Sequence, residues 1–207
     1  MAERPDQVTL EFNEERHEYR YNGEIVPSVT TILKPLVDYS MIRPDVLQAA
    51  SELGSMVHLT TELYDLGTLD EDDLDPVLKP YLDGWKRFRE EVQFVPDTVE
   101  KRMYHPTFRY CGTSDRTGAI RGIKAVVDIK KMMTLGPVIG PQLAAYKEMH
   151  NLEGAGIEKR FALGLRPDGT YRLQEYTDPS DLPCFMSLLT LMRAQETINK
   201  WRTKHGK

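Results

Sequence analysis

Gly112-Thr113-Ser114-Asp115 precedes Val126-Val127-Asp128-Ile129-Lys130 by a short interval, and the pairing of these two stretches decides the fold. Alternation of apolar and polar residues reads 110–115, 119–123 and 125–129 as short strands, with Gly118 and Gly122 marking turns. Successive side chains of a strand point to opposite faces, so Asp128 and Lys130 share one face. Antiparallel pairing then brings Asp115 beside Asp128. Two close carboxylates repel each other unless a cation sits between them. Oxygen donors of this kind suit Mg2+ or Mn2+, and a neighbouring lysine can orient and deprotonate a water for attack on phosphorus. A plainer reading is a strand-end Asp–Lys ion pair with a separate turn aspartate, and this spacing alone leaves both open.

Outward from this core, residues 99–104 form a further strand. Residues 8–12 and 16–21 alternate around Asn13-Glu14-Glu15 as a hairpin, and Asn22-Gly23 is a second turn. Ser28 caps a short helix that ends near Pro35. Residues 45–66 form a long helix in which Val46, Ala50, Leu53, Val57 and Tyr64 make one buried face. Asp75 or Pro76 opens another helix, with Leu78, Leu82, Trp85 and Phe88 on its apolar side. Residues 138–151 are helical. Residues 156–165 and 170–176 flank Pro167-Asp168-Gly169 as a hairpin. A last helix starts at Asp181 or Pro183 and runs to about Thr203. The pattern is one α/β (α+β) domain over residues 1–207, with a helical insertion at about 40–95 and a sheet core at about 98–207.

Composition narrows the function. Two cysteines, Cys111 and Cys184, exclude a disulfide framework and any four-cysteine zinc or iron–sulfur site. The absence of a long apolar run or a leader-like N-terminus predicts a cytoplasmic protein without a membrane span. Residues 1–100 carry 9 basic and 22 acidic side chains, a net of −13, whereas the remainder carries 18 and 10, a net of +8. Such asymmetry predicts a basic surface on the second half, or simply a solvated face balanced by acidic loops.

Five short signals in order extend the reading. They are Gly23-Glu-Ile-Val-Pro-Ser-Val-Thr30, Gly54-Ser-Met-Val-His58, Gly112-Thr-Ser-Asp115, Asp128-Ile-Lys130 and Gln142-Leu-Ala-Ala-Tyr146. Together they resemble the PD-(D/E)XK nuclease superfamily, and most of all its RecB-like, phage-type exonuclease branch. Ser114 stands where the superfamily label has proline. The resemblance implies a restriction-endonuclease-like core, with a central mixed sheet flanked by helices, an N-terminal hairpin and a helical arch.

The resemblance also implies residue roles. Asp115 and Asp128 would be metal ligands, with the Ile129 carbonyl and His58 completing the shell. Lys130 would position the attacking water, and Gln142 with Tyr146 would contact DNA or support the lysine. Glu62, one turn beyond His58, reads as an orienting group or as a surface residue. Glu100, just before the first catalytic strand, reads equally as a participant or a bystander. Ser28, Thr30, Thr31, Arg116 and Arg121 are the candidate DNA contacts, although Ser28 serves as well as a simple cap. Lys101, Arg102 and Arg109 add local positive charge.

The implied activity is Mg2+- or Mn2+-dependent hydrolysis of DNA phosphodiesters, by an exonuclease of phage-type recombination or processing. Its implied partners are single- or double-stranded DNA ends and a single-strand annealing or recombination protein, in the host cytoplasm for a phage-encoded chain. A structure-specific endonuclease and a non-catalytic DNA-binding subunit are the alternatives. They differ in whether circles are cut and whether metal-dependent cleavage occurs at all.

Overall fold

In the structure, a computed structural model that describes residues 10–13, 16, 18–131 and 135–206, two sheets and five α-helices follow one another along the chain. Strands β1 (Leu10–Asn13), β2 (Glu18–Tyr21) and β3 (Glu24–Val26) form a small antiparallel sheet. Helix α1 (Val29–Leu33) follows, then α2 (Pro44–Asp65) and α3 (Lys79–Glu91). The main sheet takes β4 (Val95–His105), β5 (Tyr110–Ile120), β6 (Ile123–Lys130), β7 (Lys159–Leu165) and β8 (Tyr171–Glu175) in that spatial order. Helix α4 (Ile139–Leu152) crosses from β6 to β7, and α5 (Asp181–His205) closes the chain. The residues at 8–9 of the expected first strand, and Glu14-Glu15 of its turn, lie outside the described residues.

Each turn chemistry has its backbone consequence. Asn22 and Gly23 (φ 52° and 77°) join β2 to β3, and Arg121 and Gly122 (φ 50° and 82°) join β5 to β6. Two consecutive positive φ values give the hairpin turn whose twist matches that of paired strands. The antiparallel meander β4-β5-β6 then meets β7 in parallel through the α4 crossover, and β8 folds back antiparallel on β7. The sheet is mixed and flanked by helices on both faces, as the expected nuclease-like core requires.

Alternation along β6 divides the core. Ala125, Val127 and Ile129 pack with Val57, Trp85, Phe88 and Phe94 on the α2–α3 side, whereas Val126 packs with Leu143, Tyr146 and Met149 on the α4 side. Trp85, Phe88 and Phe94 pack against one another in tilted and edge-to-face pairs with ring centroids 5.3–6.0 Å apart. Helix α4 is buried nearly all round because α1 and α5 cover the side that the sheet leaves open.

Four expectations are corrected. Gly118 is no turn: β5 runs unbroken through it, and the missing side chain leaves room for the Phe94 ring and the Val95 carbonyl. The first strand of the main sheet begins at Val95, four residues earlier than the expected 99–104, and carries Glu100 at its middle. Helix α3 begins at Lys79, three or four residues later than Asp75 or Pro76 suggest. In α2 the predicted apolar face is buried only toward the C-terminal end: Val57 is fully enclosed, but Val46 remains 51% exposed. The first turns of α2 have no layer beneath them, and periodicity reports a face without reporting whether anything covers it.

Candidate active site

The register of β4, β5 and β6 builds the site. Val99 pairs with Arg116 and Lys101 with Ser114, which sets Glu100 across from Asp115. Arg116 pairs with Val127, and one further step of the same register sets Asp115 across from Asp128. Three acidic residues therefore stand in one row over three neighbouring strands. Asp128 is 2% exposed and Asp115 is 8% exposed. Glu100 adopts φ 44° in mid-strand, a left-handed backbone that disfavours a non-glycine residue and collects at functional sites.

Helix α2 brings His58 over this row. Its Nδ1 lies 3.6 Å from Glu100 Oε1 and 3.6 Å from Asp115 Oδ2. The ligand atoms of His58, Glu100 and Asp115 all lie within 4.8 Å of one another. Asp115 Oδ2 also accepts the Ile129 N–H at 2.6 Å. Asp128 stands beside this trio: its Oδ1 accepts Gln142 Nε2 at 2.8 Å, and its Oδ2 lies 2.8 Å from Lys130 Nζ. That last contact is a close, buried ion pair between the Lys130 ammonium and the Asp128 carboxylate. Gly112 makes space for the ring of Tyr146, since a Cβ there would come within 2.9 Å of Tyr146 Cε1. Tyr146 is buried beside Gln142, one turn earlier on α4.

The electrostatics follow from crowding. Burial raises the Asp115 carboxyl above its ordinary range, with His58 opposing and Glu100 adding to the shift. Burial likewise pushes Asp128 up to about 6, with Lys130 opposing and Asp115 reinforcing. Burial would lower His58, but Asp115 and Glu100 outweigh it and bring the imidazole up to about 9. Burial disfavours the Lys130 ammonium too, yet Asp128 and Asp115 hold it above its usual value. Glu100, Asp115 and Asp128 crowd together, with His58, Lys130 and Arg116 as the cations that touch them. Hard oxygen donors plus one imidazole nitrogen fit a divalent cation of the Mg2+ or Mn2+ type.

The expected residues thus fall into three groups. His58, Asp115, Asp128, Lys130, Gln142 and Tyr146 converge, and Ile129 joins them through its backbone N–H. Glu100 belongs with them, and its acidic character just upstream was the available signal. Glu62 lines the open groove beside His58 without a close partner to the trio.

The candidate DNA contacts are placed differently. Ser28 caps α1: its Oγ accepts the Thr31 N–H at 3.1 Å and bonds the hydroxyls of Thr30 and Thr31. Thr30 and Thr31 are exposed. Arg121 sits in the β5–β6 turn, six residues beyond Asp115, or ~20 Å at about 3.4 Å per residue. Arg116 is corrected outright: it is fully buried, with its guanidinium consumed by protein acceptors, so no phosphate reaches it. Its chief acceptor, Asp65, went unnoticed in the sequence because nothing local marks a helix-end aspartate as buried.

No protein-family model matches this sequence, and no curated protein is similar to it in sequence. Among solved structures, the chain is similar to a protein of Eubacterium rectale assigned as an exonuclease, at 14% identity over 74% of this chain and 68% of that one, with a TM-score of 0.48. It is also similar to LHK-Exo, solved in complex with dAMP, at 11% identity over 87% of this chain and 93% of that one, with a TM-score of 0.48. At this degree of likeness the reading of the site rests on its own geometry. No helix among the described residues is long and apolar enough to cross a membrane.

Proposed function

We propose that this chain is a Mg2+- or Mn2+-dependent deoxyribonuclease that hydrolyses phosphodiester bonds from DNA ends. One observation carries the reading: Glu100, Asp115 and Asp128 form a row over three adjacent strands, with His58 above and Lys130 at its end. Burial and repulsion between carboxylates raise both Asp115 and Asp128, a crowding that a divalent cation between them would relieve.

His58, Glu100 and Asp115 would hold the ion, with Asp128 and the Ile129 carbonyl as further donors on the β6 side. When bound, such an ion lowers the pKa of a coordinated water and neutralises charge developing on the phosphate. The Lys130 ammonium, paired to Asp128 at 2.8 Å, orients the attacking water and stabilises negative charge on the phosphoryl oxygens. Gln142 fixes the Asp128 carboxylate through Oδ1, which leaves Oδ2 directed toward the reaction. Ile129 fixes Asp115 in the same way through its N–H. Tyr146 supports Gln142 from the buried side. Helices α2 and α3, within the segment 40–95, form the arch through which a strand passes, and residues 1–207 work as one nuclease domain in DNA recombination or processing.

The test is cleavage of linear and covalently closed circular DNA, single- and double-stranded, with Mg2+, Mn2+ or EDTA. Asp128→Asn serves as the contamination control. Metal-dependent loss of linear DNA alone, absent in the variant, is the expected result. Cutting of circles would replace the exonuclease by an endonuclease at the same site. Salt-sensitive DNA binding without cleavage under any condition would favour a binding subunit.

A further inference from the structure

Arg116 follows Asp115 in the chain and therefore points to the opposite face of β5, yet its guanidinium reaches the three elements that carry His58, Glu100 and Asp115. Nη1 donates to the Asp115 carbonyl at 2.7 Å and to Glu100 Oε1 at 2.9 Å. Nε donates to Asp65 Oδ2 at 2.7 Å, and Nη2 to Thr61 Oγ1 at 3.2 Å. Thr61 and Asp65 lie three and seven residues beyond His58 on α2, so one stripe of that helix bears both the ligand and the two acceptors. Asp65 is itself locked, since its Oδ1 accepts Arg89 Nη1 at 2.6 Å and Trp85 Nε1 at 2.9 Å.

We propose that Arg116 is a positioning residue of the metal centre: one buried guanidinium fixes the Glu100 carboxylate, the Asp115 backbone and helix α2 at the mutual distances that make His58, Glu100 and Asp115 a single ligand set. The proposal rests on the metal-site reading above. Glu100 explains why such a clamp is needed. Its left-handed backbone persists only where the surroundings hold it, and the Arg116 bond to its carboxylate is the hold. The planar fork of arginine serves three directions at once, which the single ammonium of lysine does not.

The experiment is direct Mn2+ binding to the full chain, read by electron paramagnetic resonance or calorimetry, for wild type, Arg116→Lys, Asp65→Asn and Glu100→Gln. Asp65→Asn alters no ligand and nearly preserves shape. Cooperative unfolding establishes that each variant is folded. Arg116→Lys and Asp65→Asn are expected to weaken Mn2+ binding by about 10- to 100-fold, the usual consequence of losing an outer-shell partner. The Mn2+ concentration for half-maximal cleavage should rise by the same factor, while the rate at saturating Mn2+ falls less. Folded Arg116→Lys and Asp65→Asn proteins that bind Mn2+ as wild type does would overturn the proposal. So would failure of both to fold, which would make Arg116 a folding residue only. If Glu100→Gln binds Mn2+ undiminished, the ligand set itself is at fault, and the metal-site reading falls before the positioning role is reached.

Discussion

Asp115 and Arg116 are neighbours in sequence, equally lost to solvent, and opposite in electrostatic circumstance. On the α2–α3 side of the sheet, Arg116, Asp65, Arg89 and Trp85 satisfy one another, with every polar atom of Asp65 engaged. On the α4 side, Asp115 and Asp128 crowd together and both carboxyls are raised, even with His58 and Lys130 beside them. Burial is the same on the two faces. What separates structure from chemistry is whether each buried charge meets only its counter-charges or is also pressed against its own kind.

The comparison breaks most sharply through the row itself. Asp115→Asn and Asp128→Asn should each lower metal-dependent cleavage by at least ~10^3-fold, while thermal unfolding without metal shows an apoprotein as stable as wild type or more so. Equal loss of stability and activity would mean that the row is structural. On the closed face the outcome inverts. Asp65→Ala leaves Arg116 buried without its counter-charge and should cost about 3–5 kcal/mol in denaturant unfolding.

Metal binding separates the faces next. A ligand at 100 times its Kd stabilises by about 2.7 kcal/mol, so Mn2+ should raise the melting temperature of wild type by about 5 °C or more. The shift should vanish in Asp115→Asn; a full shift there would place the ion elsewhere. A smaller effect concerns a buried group that neither face pairs. Burial lowers His150 to about 4. The unfolded chain takes up that proton near pH 6.5, so stability is full above this pH and declines as pH falls toward 4. Relative to His150→Gln, wild type should lose on the order of 2 kcal/mol between pH 7 and 4.5, read from denaturant midpoints. An identical pH dependence in both proteins would show that His150 contributes nothing to it.

The same contrast explains what the sequence discloses. Asp115, Asp128 and Lys130 are legible because a hairpin register is a local rule: pairing follows from two strands and the turn between them. His58 is legible only through the resemblance of Gly54-Ser-Met-Val-His58 to a nuclease-family helix motif, since a lone helix histidine reads first as a packing residue. Glu100 is only half legible, since its place in the row depends on a left-handed backbone that no composition announces. Arg116 is misread because an arginine near an acidic motif looks like a phosphate contact. Its true partner, Asp65, lies 51 residues away, across a helix whose docking only the tertiary fold determines. Val46 fails for a related reason, because an apolar spacing does not reveal where the covering layer ends. Gly118 marks close approach by Phe94 rather than a change of direction.

Cys111 adds a different kind of consequence. Its thiol is fully enclosed where the small sheet meets the main one, its Sγ pointing at the Val26 and Pro27 carbonyls. Burial pushes it up to about 12, so in the native state it is both shielded and un-ionised. An alkylating reagent must therefore wait until the two sheets part. Cys184, half-buried at the start of α5, reacts without that delay. The chain thus carries its own stopwatch and its own internal standard for how often its N-terminal ribbon lets go.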